Sequence, residues 1–111
     1  MELKEQSVGN VLVIDVIGRL DSSSAQSLQD RGASLIAGGT SAVLLDLEKV
    51  EYVSSAGFRA LLILAKQAQQ AKSRFVLCGL SPKVSRLFEL GGFLDILPIT
   101  KTREEGIAAA G

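Results

Sequence analysis

Apolar, β-branched runs at Val11-Leu-Val-Ile-Asp-Val-Ile17, Ala42-Val-Leu-Leu-Asp-Leu47 and Phe75-Val-Leu-Cys-Gly79 constrain this chain more than any other feature. Each is short enough for a strand and too continuously apolar to have one face in water. The segments between them carry helical periodicity instead. Strands buried on both faces and separated by helices require an α/β sheet with a mainly parallel centre, because parallel neighbours need crossover connections. Leu3 to Val8, joined to the first run by Gly9-Asn10, reads as an antiparallel hairpin strand at one edge.

The helices follow from spacing and punctuation. Asp21-Ser-Ser-Ser24 offers several N-caps for a first helix, whose Ala25, Leu28, Gly32, Leu35 and Ile36 should face the sheet before Gly38-Gly39 ends it. From Ala56 to about Lys72 the pattern is helical again, with Phe58, Leu61, Leu62, Ala65 and Ala68 as one stripe and Ile63 and Leu64 widening it. The stretch Glu48 to Ser55 reads as a loop with Val50, Tyr52 and Val53 packed partly inward. Ser81-Pro82 opens a third helix carrying Val84, Leu87 and Phe88, and Gly91-Gly92 stops it. Leu94 to Ile99 is expected to form a last short strand, and Thr102-Arg-Glu-Glu105 has the spacing of a capping box for a terminal helix. The expectation is one domain over residues 1–111 with about four helices. A chain of 11.7 kDa should expose about 5,900 Å² folded against about 17,000 Å² extended, enough burial for a core without disulfides or metal.

Composition excludes several functions. Twelve basic and twelve acidic residues cancel without forming a block, and the only aromatics are four Phe and one Tyr, so a nucleic-acid surface is not expected. There is no histidine, which removes the Ser-His-Asp triad and His-based acid–base catalysis, and the single cysteine, Cys78, lies in a core strand. No metal site or cofactor is expected: phosphate-loop and dinucleotide fingerprints are absent, and the Gly pairs follow helices rather than preceding them. Adjacent Glu104-Glu105 give no clear catalytic pair. The charged N-terminus and the lack of any apolar run near 18 residues point to a cytoplasmic protein without membrane insertion.

The serines of Tyr52-Val-Ser-Ser-Ala-Gly-Phe58 are more informative. Ser54 or Ser55 is a candidate N-cap for the long helix. The same helix end favours an anion by about 0.3–1 kcal/mol, so the fold itself would tolerate a phosphoserine. At a partner surface a charge of about −1.5 to −2 would instead repel acidic groups or demand desolvation.

Across nearly its whole length the chain resembles the anti-sigma-factor antagonists, built on the STAS domain. Gly18-Arg-Leu-Asp21, Val43-Leu-Leu-Asp-Leu47, Tyr52 to Phe58, and Leu80-Ser-Pro-Lys-Val-Ser-Arg-Leu-Phe88 carry the resemblance, in this order and spacing. It implies a STAS-like fold and a phosphorylation site at Ser55, with Ser54 standing where the family commonly has Asp and Ala56 where it has Ser or Thr. Ser54 is thereby a second candidate for modification. The resemblance further implies partner switching. The unmodified protein would bind an anti-sigma factor that is also an ATP-dependent serine kinase, phosphorylation would release it, and a metal-dependent serine phosphatase would reset it. Such a chain is substrate and ligand, with no catalytic residue of its own. Asp21, Ser22 and Ser23 match the loop beside the phosphosite and, with Ser54, Ser55, Ala56, Gly57 and Arg59, are the implied partner contacts; capping of the first helix is the other role open to Asp21–Ser23. Phe58 either rims that surface or anchors the helix in the core. Two rival assignments are a STAS subunit of a transport or stress-signalling complex and a small serine hydrolase using Ser55. The hydrolase lacks a histidine and a Gly-x-Ser-x-Gly elbow.

Overall fold

In the computed structural model, which describes all 111 residues, β1 (Glu2–Val8) and β2 (Val11–Leu20) form the expected antiparallel hairpin, closed by Gly9-Asn10 with Gly9 at φ +61°. Positive φ at the first turn position is what a two-residue hairpin turn demands. After α1 (Ala25–Ala37), β3 (Ala42–Asp46) adds to β2 in parallel. β4 (Val50–Val53) and α2 (Ser55–Gln70) follow, then β5 (Arg74–Cys78), α3 (Pro82–Gly91), β6 (Ile99–Thr100) and α4 (Arg103–Ala110). The sheet runs β1-β2-β3-β5-β6, parallel from β2 onward. The α/β class, the edge hairpin and the four helices are as the sequence implied. The accessible surface, 5941 Å², matches the value expected for a folded chain of this mass. No helix is long and apolar enough to cross a membrane.

Alternation along the strands explains why they read as unbroken apolar runs. Ile14, Val16, Val43, Leu45, Phe75 and Leu77 point to one face and pack with Leu28 and Ile36 of α1 and Leu61, Leu64 and Ala68 of α2. Val11, Val13, Ala42, Leu44, Val76 and Cys78 point to the other and meet Ala110 of α4. Cys78 is fully buried, and desolvation followed by the Asp46 charge pushes its thiol up to about 12, so it is an inert core residue.

The closing of α4 over the second face rests on a glycine and an arginine. A Cβ on Gly106 would lie 2.7 Å from Leu44 Cδ1, so the glycine lets the short helix settle on β3 without displacing that side chain. Arg103 donates from Nη2 to Asp15 Oδ1 at 2.9 Å, and its Nη1 lies 3.3 Å from Asp46 Oδ2. Asp46 is buried, and its Oδ1 also accepts the Glu48 N–H at 3.0 Å. Thr102 caps α4 by accepting from the Glu105 N–H at 3.1 Å.

Several expectations are corrected. The stretch 48–55 is not a loop: it contains β4, which pairs with the end of β2 through Gly18↔Val50, Arg19↔Tyr52 and Leu20↔Val53, with an irregularity at Gly18/Arg19. Charges at Glu48, Lys49 and Glu51 interrupt the apolar run and hide the strand. Leu94 to Ile99 is mostly a turn, with the Ile96 and Leu97 N–H groups both donating to the Phe93 carbonyl. Pairing begins only at the Pro98 carbonyl, which accepts from Leu77 N–H, because the preceding turn has already buried Leu97. The buried stripe of α2 is Gly57, Phe58, Ala60, Leu61, Leu64 and Ala68; Leu62 and Ala65 are only partly covered. Its centre shifts because α2 packs on α1 as well as on the sheet. Gly32 meets Leu64 of α2, not the sheet, with a Cβ placed there only 2.6 Å from Leu64 Cδ2.

Arg103→Ala leaves buried Asp46 without its cation and should destabilise the fold by about 2 kcal/mol, discounted from a fully buried pair because Arg103 is partly in water. Urea unfolding of Arg103→Ala against Arg103→Ala/Asp46→Asn measures this, and the double variant should recover part of the loss.

Candidate functional site

The end of β2 brings the two sequence motifs together. The Leu20 carbonyl accepts the Ser54 N–H at 2.9 Å, one residue beyond the Leu20↔Val53 pair, so the chain leaves β2 into Asp21–Ser23 beside the point where it leaves β4 into α2. Gly57 holds this junction shut. A Cβ there would lie 2.6 Å from the Leu20 carbonyl oxygen and 3.0 Å from Val53 Cγ1, and a backbone oxygen in a strand cannot move aside. The glycine is thus required by close approach and not by backbone conformation.

The adjacent serines divide their roles. Ser54 has extended backbone, φ −89° and ψ 175°, and its Oγ accepts the Gly57 N–H at 3.3 Å; it is the N-cap of α2. Ser55 is the first helical residue, exposed, and its hydroxyl makes no hydrogen bond within the chain. No acidic residue occupies the first turn, so no carboxylate within the helix offsets its positive end. Ala56 is half-buried, and Arg59, one turn beyond Ser55, is exposed. Phe58 points inward, with Phe88 edge-on at 4.8 Å and Phe93 stacked at 4.4 Å. Of its two possible roles it takes the core anchor.

Asp21 to Ser24 form a self-bonded turn more than a helix cap. Asp21 Oδ1 accepts from the Ser23 hydroxyl at 2.6 Å and from the Ser23 N–H at 3.0 Å. These bonds, with the Arg19 charge adding to them, hold the Asp21 carboxyl below the usual carboxylate range. Ser24 stands at the N-cap position but gives no side-chain cap: its hydroxyl donates to the Arg19 carbonyl at 2.7 Å and accepts the Asp21 N–H at 3.0 Å. Ser22 and Ser23 are left exposed. Sequence reasoning missed Arg19 and Tyr52. The Arg19 guanidinium lies 4.6 Å over the Tyr52 ring with Nε 3.6 Å from Asp21 Oδ2. The pair is visible only once Arg19 is known to face Tyr52 across strands, and that register was hidden with β4.

These residues make an open surface, not a cavity. The largest cleft, about 500 Å³, is lined by Asp46, Glu48, Ser81, Lys101 and Arg103 among others. Ser54, Ser55 and Asp21 line none of the clefts. In the large cleft Asp46 and Arg103 are already engaged in holding α4. An exposed hydroxyl outside every cleft is open to another macromolecule and does not enclose a small substrate.

Removing the cap and removing the free hydroxyl should therefore differ. Ser54→Ala should cost about 1 kcal/mol and Ser55→Ala less than about 0.5 kcal/mol in denaturant unfolding. Gly57→Ala should cost about 1–3 kcal/mol by forcing α2 off β2.

A family model described as the STAS domain matches residues 3–106. A Bordetella bronchiseptica relative, BtrV, provisionally named an anti-sigma factor antagonist, is 38% identical over 109 residues, covering 98% of this chain and 94% of its own. A Thermotoga maritima structure, provisionally described in the same terms, superposes with a TM-score of 0.90 at 19% identity, covering 97% of this chain and 93% of that one. The Bacillus protein SpoIIAA is similar both in its unphosphorylated form, an anti-sigma factor antagonist (TM-score 0.73, 18% identity, 97% and 96% covered), and in its phosphorylated form (0.74, 20%, 99% and 100%). At such identities the structural matches speak for the fold. The family model and the Bordetella relative each span nearly the whole sequence, and on that ground the chain belongs to the STAS domain family.

Proposed function

We propose that this protein is a cytoplasmic anti-sigma-factor antagonist whose binding to an anti-sigma factor with serine kinase activity is switched off by phosphorylation of Ser55. The observation that carries the reading is the division of labour at the head of α2. Ser54 supplies the cap, so Ser55 keeps an exposed hydroxyl free of hydrogen bonds beside the Asp21–Ser23 turn. The names of the Bordetella relative and of SpoIIAA support the antagonist role.

The switch follows from charge and position. A phosphate at the first helical residue meets a helix end with no carboxylate in its first turn, so the domain accepts it without unfolding. A partner laid over Asp21, Ser22, Ser23, Ser54, Ser55, Ala56, Gly57 and Arg59 meets about −1.5 to −2 new charges on a surface that already carries ionised Asp21. A penalty of about 1.4 kcal/mol lowers affinity tenfold. Ser54 is the poorer substrate of the two because modification would break its cap. The kinase brings the ATP, a metal-dependent phosphatase brings the metal and resets the cycle, and this chain acts as ligand and substrate rather than as an enzyme.

The test is phosphosite mapping after incubation with the genomic-neighbour kinase and ATP. Phosphate on Ser55 is expected; phosphate confined to residues other than Ser54 and Ser55 overturns the switch. Ser55→Ala should bind the kinase as the unmodified protein does without accepting phosphate, and Ser55→Asp should bind about tenfold or more weakly in titration calorimetry.

A further inference from the structure

We propose that a phosphate on Ser55 is bound within its own helix by Arg59, so that modification withdraws a surface cation at the same time as it adds an anion. This deepens the reading of Ser55 as the modified residue and rests on it. Ser55 and Arg59 are both exposed, whereas Gly57, Phe58 and Ala60 between and beyond them are buried, so the two share the solvent face of α2 one turn apart. Residues four apart on a helix are neighbours, and the order here, acid before base, is the favourable one. A planar guanidinium also matches phosphate oxygens in a two-point contact that an ammonium cannot make.

Arg59 is available for this role. It takes part in none of the ion pairs or side-chain hydrogen bonds of the unmodified chain, which engage Arg19, Arg31, Arg74 and Arg103 instead. The other cation at the site, Arg19, is held between Asp21 and the Tyr52 ring. Of the other charged groups on the adjoining elements, Asp15, Asp21 and Glu51 are acidic and oppose a phosphate. Lys49 before β4, and Lys83 and Arg86 of α3, which packs on β4 and also carries Glu89, are exposed cations off the face that Ser55 and Arg59 share. The first turn of α2 offers no carboxylate to compete for Arg59. The unmodified head of α2 therefore presents a free guanidinium to a partner. The phosphorylated head presents an anion that has taken up the guanidinium of its own helix face.

The experiment uses the full chain with phosphoserine encoded at position 55, followed by phosphorus NMR across the second phosphate ionisation near pH 6. With Arg59 present, that pKa should lie lower by about 0.3 unit or more than in Arg59→Gln, with Arg59→Lys between them. Equal pKa values in the parent and Arg59→Gln would overturn the proposal, because the helix end alone would then hold the phosphate. Circular dichroism of each variant confirms that the fold is unchanged, as expected for an exposed side chain. The titration needs no kinase, so a failure of Ser55 to be phosphorylated by the partner is read separately, by phosphosite mapping.

Discussion

The burial of β2 and β3 on both faces is the constraint from which the other features follow. Each face needs a cover, and the two covers are built differently. On one side α1 and α2 close against the sheet and each other, with Gly32 admitting Leu64. On the other, only the short α4 is available, and it closes by pressing Gly106 onto Leu44 while Arg103 bridges to Asp15 and Asp46. A buried carboxylate at the end of a central strand is costly unless paired, so the Asp46–Arg103 contact fixes where the last helix lies as well as that it lies there.

The same strand also creates the site. β2 outlasts β3, and its final residues are paired by β4 instead, which carries the head of α2 to Leu20. A serine hydroxyl at the start of a helix is ordinarily consumed in capping. Here two serines stand in succession, and the geometry assigns the cap to Ser54, leaving Ser55 on a rigid support with its oxygen free. Rigidity comes from Gly57 against Leu20 and from Phe58 locked between Phe88 and Phe93. A surface held in this way can report a charge change to a partner without first having to fold or unfold.

Much of this was legible in the amino-acid order, for identifiable reasons. The strands at 11–17, 42–47 and 75–79 were plain because double burial leaves no polar face to blur them. Ser81-Pro82 and Thr102–Glu105 marked helix starts because capping chemistry is local. β4 was not legible, since its buried residues Val50 and Val53 are three apart and pair across an irregularity rather than alternating. Leu94 to Ile99 misled because an apolar run is compatible with a turn that buries Leu97 and exposes Ile96. At the site, the resemblance singles out Ser55 for modification, but spacing alone leaves open which of Ser54 and Ser55 caps α2: that choice depends on one hydrogen bond to Gly57 N–H. The Arg19–Tyr52 contact needed a strand register that local pattern does not contain.

The central claim is that a charge on Ser55 acts at the interface and leaves the domain as it is. The most direct measurement pairs two readouts on the full chain with and without phosphoserine at position 55: Kd for the proposed anti-sigma partner, and the amide NMR spectrum with thermal midpoint. The account predicts a Kd weaker by tenfold or more, with spectral changes confined to the head of α2 and the Asp21–Ser23 turn and an unchanged midpoint. An unchanged Kd, or a loss of affinity accompanied by spectral change across β2 and β3 and a lowered midpoint, would contradict it.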